Sequence, residues 1–171
     1  MGYNKKRPVD RLARCFQCGA VHPVECGAFD TQPFMSEEPA GYREIEHTAD
    51  WELEVWAPDM CGLLEQAARG MYQLSGIRLS GTSPMERYLK IKAQDDESLL
   101  VGFLQELLYI AEIDRLGFNT FDIHIDRHTL NAKLAGSQLD SVKKEIKAVT
   151  YHELEVVRTD RGVRSRIVFD V

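Results

Sequence analysis

At 171 residues the chain is long enough for one domain with a substantial hydrophobic core and too short for two comfortable ones. Its formal charge of −6 lies wholly beyond residue 40, where 16 basic side chains face 22 acidic ones, which excludes an extended electrostatic grip on nucleic acid and favours a protein partner or a cation. No apolar run approaches the roughly 20 residues that cross a bilayer, and the charged N-terminus lacks the apolar stretch of a signal peptide, so the reading is a cytoplasmic protein with no membrane association.

Residues 1–40 differ in character from the rest. They balance five basic against five acidic residues, carry Pro8, Pro23, Pro33 and Pro39, and show little periodicity. They read as an irregular or disordered extension, with Met35 as a candidate start that would leave residues 1–34 upstream of the native product. Three of the four cysteines fall here. The spacing of Cys15, Cys18, His22 and Cys26 has the thiolate and imidazole donors that a tetrahedral zinc site uses, so a zinc knuckle is the competing reading of this segment. Cys61 stands apart, and the pattern is unlike a disulfide framework.

The body, residues 41–171, opens with a strand that begins at Tyr42 and ends in the polar knot His47, Thr48 and Asp50. A second strand follows, with Trp51, Leu53 and Val55 inward and Glu52, Glu54 and Trp56 outward. Pro58 and Asp59 then stop it and cap a helix whose apolar stripe runs through Leu63, Leu64, Ala67, Ala68, Met71 and Tyr72 to a stop at Ser75 and Gly76. Residues 78–84 read as a surface loop, and Leu89, Ile91 and Ala93 as a third strand.

Asp95, Asp96 and Glu97 form a dense acidic triplet. They immediately precede the apolar periodicity from Leu99 to Ala111, so they are assigned to a helix N-terminus, where negative charge offsets the macrodipole. Phe121, Ile123 and Ile125 alternate with Asp122, His124, Asp126 and His128. That His-x-Asp-x-His run is assigned to the wet side of an amphipathic strand and not to a metal site. Leu130, Ala132 and Leu134 form the next strand, and residues 136–141 are expected to turn the chain. Short strands are expected from Ile146 onward, with Thr159-Asp160-Arg161-Gly162 as a hairpin turn and a last strand carrying Val163, Ser165, Ile167 and Phe169 on one face and Arg164, Arg166, Val168 and Asp170 on the other. The fold class is α+β: mixed, mostly antiparallel sheet packed with two amphipathic helices.

Two ends of these strands hold acids that want a counter-charge. Asp50 closes the first polar knot, and Asp170 with the carboxyl-bearing last residue Val171 closes the final strand. Gathered together, such groups repel unless something positive sits among them, and hard oxygen donors suit calcium or magnesium better than zinc. Lys147 is the side chain positioned to compete for that place. His47 and His152 are candidates for hydrogen-bond partners that orient a carboxylate.

The ordered motifs EHTAD at 46–50, LLEQAARGMYQL, ESLLVGFLQELLYIAE, KAVTYHELEV at 147–156 and the closing FDV together resemble the archease family across residues 41–171. The resemblance implies a small α+β protein that activates the RtcB-type tRNA-splicing ligase. The implied role is to promote guanylylation of the ligase, restore it for further turnovers and widen its choice of nucleotide, with tRNA contacted only indirectly and no catalysis by the helper itself. It also implies a divalent ion, calcium in the first instance with Mg²⁺ or Mn²⁺ as alternatives, held by Asp50, Asp170 and Val171. Two other classes stand beside it: a metal-dependent hydrolase built on the same acids, and a chaperone-like or RNA-binding module.

Overall fold

The computed structural model describes residues 38–45 and 51–171. Among them the chain forms β1 (Gly41–Ile45), β2 (Trp51–Ala57), α1 (Met60–Ser75), β3 (Arg78–Leu79), β4 (Met85–Lys92), α2 (Asp96–Ile113), β5 (Leu116–Asp126), β6 (Thr129–Ser141), β7 (Ala148–Val149), β8 (Val156–Thr159) and β9 (Gly162–Asp170). Every strand pairing is antiparallel. One sheet runs β1-β2-β9-β7, with β8 also on β9, and a second is built around β6, which pairs with β3, β4 and β5.

Both helices begin and end where the local chemistry directs. Asp59 caps α1 by accepting a hydrogen bond from Gly62 N–H at 2.8 Å, and Gly76 ends it in the left-handed conformation at φ 60°. Asp95 caps α2 through Ser98 N–H at 2.7 Å, as expected of the acidic triplet. α1 lies on β1, β2 and β9 of the first sheet and on β5 of the second, while α2 touches β7 of the first and β4, β5 and β6 of the second. The core between them is continuous: Leu53, Val55, Leu63, Leu64, Phe103, Leu104, Leu107, Leu134, Ile167 and Phe169 are fully or almost fully buried. Burying side chains of this size is the main term holding the two sheets and the helices together.

The structure departs from the sequence reading at four places. Residues 78–84 are not all loop, because Arg78 and Leu79 pair with Ser141 and Leu139. Residues 136–141 do not turn; β6 continues through them to Ser141. Gly136 is there because β5 passes so close that an added Cβ would lie 1.9 Å from Gly117 O. The acidic face of β2 is not a solvent face: Glu52 and Glu54 are both buried, the first at 2.9 Å from Arg166 Nε and the second at 2.6 Å from Arg43. Finally, the chain from Tyr151 to Glu155 is a turn and loop between β7 and β8, with Glu153 at φ 50°.

Candidate functional site

The last strand fixes the corner on which the site reading depends. β2 and β9 pair over their length, Trp51 opposite Phe169, Leu53 opposite Ile167 and Val55 opposite Ser165. Because side chains alternate, burying Val163, Ser165, Ile167 and Phe169 turns Arg164, Arg166 and Asp170 outward. The register therefore sets the residue that follows Asp50 in sequence beside the residue that precedes Asp170. On the other side of β9, Ala148 pairs with Asp170 and Val149 with Phe169.

That second pairing delivers the cations. Lys147 N–H donates to Asp170 O at 2.9 Å, and Lys147 Nζ donates to the Val171 oxygen at 2.8 Å. Lys144, three residues earlier, holds its Nζ 4.5 Å from the centroid of the Trp51 ring, a cation–π contact. Thr150 closes the turn by donating through both N–H and Oγ1 to Val168 O, at 3.0 and 3.1 Å. The Asp170 side chain is exposed, and no described residue hydrogen-bonds or ion-pairs with its carboxylate. Val171 packs against the core.

Of the predicted residues, the structure brings Lys147, Asp170 and Val171 together. His152 is not brought to them: its ring is exposed, its nearest carboxylate is that of Glu153 at 4.0 Å, and its N–H donates to Thr150 Oγ1. Asp50 and His47 lie outside the described residues, as do Cys15, Cys18, His22 and Cys26. Among the described residues no three His, Cys, Asp or Glu side chains gather as a metal-binding group; the described part of the corner offers the Asp170 carboxylate and the Val171 oxygen. Those are hard donors, consistent with calcium or magnesium chemistry.

Other acids that resemble ligands in sequence are engaged elsewhere. Asp96 pairs with Arg158 and lies 3.8 Å from His128 Nδ1, and Glu97 accepts Val156 N–H at 2.9 Å. Asp122, His124 and Asp126 line the exposed side of β5. The thiol of Cys61 is held above its usual pKa, by burial first and then by the charge of Asp59, which is the opposite of an activated nucleophile. Sequence reasoning missed Lys144, whose place over Trp51 is set by the long-range β7–β9 pairing and leaves no local signal. It also missed the burial of Glu52 and Glu54, which depends on cross-strand arginines.

A profile of the Archease protein family (MTH1598/TM1083) matches residues 42–171. The chain belongs to the archease family. The archease of Methanosarcina barkeri (strain Fusaro / DSM 804) is 32% identical over 148 residues, covering 80% of this chain and 100% of that protein. A probable archease of Mycobacterium tuberculosis is 28% identical over 173 residues, covering 98% of this chain and 96% of its own. Among solved structures, protein 1598 of Methanobacterium thermoautotrophicum superposes with a TM-score of 0.62 at 26% identity, over 77% of this chain and 99% of that one. A Thermotoga maritima structure described as an archease and possible chaperone shares the fold, with a TM-score of 0.58 over 75% of this chain and 96% of its own. The α+β archease architecture read from the sequence is thus the one observed.

Proposed function

We propose that this archease-family chain is a non-catalytic activator of an RtcB-type tRNA-splicing ligase, acting in the cytoplasm through the corner at the ends of β2 and β9. What carries the reading is the juxtaposition, in a chain of this family, of Trp51 with Phe169 and of Lys147 with Val171. Asp50, Asp170 and Val171 are the residues that would hold a divalent ion, calcium or else Mg²⁺ or Mn²⁺. Lys147 supports that assignment, since an ammonium group drawn to the Val171 oxygen marks the place as one that attracts positive charge. When bound, such an ion would neutralise the acids and order them for presentation to the ligase.

The chain's own contribution is one of positioning and electrostatics: the exposed Asp170 carboxylate and a neighbouring lysine, set at a strand end, help the ligase become guanylylated and turn over repeatedly. Contact with tRNA is indirect. The hydrolase reading finds less support, because the sequence carries no Gly-rich phosphate loop, no nucleophile elbow and no His-rich catalytic metal motif. Turnover of a phosphoester panel by the isolated protein is the result that would revive it.

The decisive measurement is RNA ligation by the purified ligase with RNA in excess, with and without this protein. Wild type raises the number of turnovers; Asp50→Ala and Asp170→Ala remove that stimulation. For Asp170→Ala, on an exposed side chain, the melting transition stays within about 0.5 kcal/mol of wild type. Unchanged stimulation by both variants would refute the assignment of the corner.

A further inference from the structure

A groove of about 810 Å³ lies between the C-terminal half of α2 and the segment that leads into β7. Its apolar surface comes from Leu108, Tyr109, Ala111 and Val142, and its charges are Arg115, Lys143, Lys144 and Lys147 against Glu112 and Glu145. The local balance thus reverses that of the whole chain, which carries 27 acidic and 21 basic side chains.

Among the described residues no layer covers this side of α2. Apart from its ends, Gln105, Glu106 and Glu112, the helix is apolar on nearly every side, a composition that belongs inside a protein. Yet Tyr109 and Ile113 are each 59% exposed, and Val142 across the groove is 36% exposed. The cationic rim is well anchored. Lys143 and Lys144 N–H groups donate to Ser75 O, and the methylenes of Lys143 lie over Gly76, so the rim is held to the end of α1. Lys147 is turned toward Val171 and Lys144 lays its ammonium over Trp51, leaving Arg115 and Lys143 as the cations facing outward.

We infer that this groove is a docking site for an acidic segment of a partner protein, one that seats a bulky apolar side chain against Tyr109 and Val142 and sets its carboxylates on Lys143 and Arg115. A nucleic acid fits less well, because Glu112 and Glu145 leave no continuous basic track for a phosphate backbone. Residues 1–40, with charges that cancel, supply no complementary sign. The inference does not depend on the ligase reading, although the groove reaches Lys147 and Ala148 and so adjoins the β9 corner.

The test is an amide-resolved NMR titration of the full chain with three probes: a short peptide alternating Glu and Leu around one Phe, the same peptide with Lys for Glu, and an oligouridylate of matched charge. The acidic peptide is expected to give saturable shifts confined to the second half of α2 and residues 142–148, and the basic peptide none there. Tyr109→Ala combined with Lys143→Glu, both at the surface, should weaken the acidic peptide about tenfold or more, as loss of an aromatic anchor and a charge contact does at interfaces. An unchanged spectrum elsewhere certifies the fold of that variant. No saturable shift in the groove, equal binding of the basic peptide, or preference for the oligouridylate would each overturn the inference. The same variant in the ligation assay separates the two readings: full stimulation with lost peptide binding leaves the activator role standing without the groove, whereas a wild type that binds peptide but never stimulates leaves the groove without the activator role.

Discussion

Two acidic places in this molecule look alike on paper and differ in three dimensions. Asp95, Asp96 and Glu97 are consecutive, yet each carboxylate is already engaged. Asp95 caps α2, Asp96 meets Arg158 and His128, and Glu97 holds the N–H of Val156. Asp170 is a lone acid at a strand end, and among the described residues its carboxylate meets no donor, while Lys147 and the Val171 oxygen lie beside it. Density of acids along a chain is therefore a poor guide to a cation site. What matters is whether backbone N–H groups and fixed cations have already satisfied the charge.

That contrast can be broken by substitution, because the triplet should govern stability and the corner should govern activity. The largest loss of stability is expected for Glu97→Ala, which strands the partly buried Val156 N–H and should cost about 1–3 kcal/mol in chemical denaturation. Asp96→Ala removes an ion pair whose arginine is largely exposed, so the cost should be about 0–1 kcal/mol and should shrink as salt is raised. Asp95→Ala removes the cap of α2, and pH should identify its contribution. Ser98, first through its side chain and then through its N–H, holds the Asp95 carboxyl below its usual pKa. A lowered folded-state pKa stabilises the protein above the unfolded value of about 3.9 and loses that contribution as pH falls through the depressed one. The difference in melting temperature between wild type and Asp95→Ala should therefore be full near neutrality and close below about pH 4. All three variants should stimulate the ligase as wild type does once folded. Loss of stimulation in any of them, measured with intact melting curves, would erase the distinction between the two acidic places.

Much of the fold is written locally. Both helices, their aspartate caps and the Gly76 stop follow from nearest-neighbour chemistry and a 3.6-residue period. The alternation on β9 likewise fixed which of its residues would be buried. What local pattern could not show was anything set by a distant partner. Gly136 has the look of a turn residue, and only the passage of β5 against it explains a strand that runs on to Ser141. Glu52 and Glu54 have the letters of a solvent face, and only Arg166 and Arg43 make their burial tolerable. The candidate corner was legible through resemblance to a family more than through periodicity, since nothing along the chain says that β2 and β7 flank the same end of β9.

The pairing of Trp51 with Phe169 has a consequence for reading any mutational survey of this protein. The corner inherits its aim from the hydrophobic interior, so a change at Leu53, Ile167 or Phe169 that lets β2 creep along β9 would swing the tail's carboxylate away without altering a single charged group. Inactive variants will therefore fall into two populations, the disarmed and the misaligned. Only the latter should be rescued by a compensating volume change across the seam.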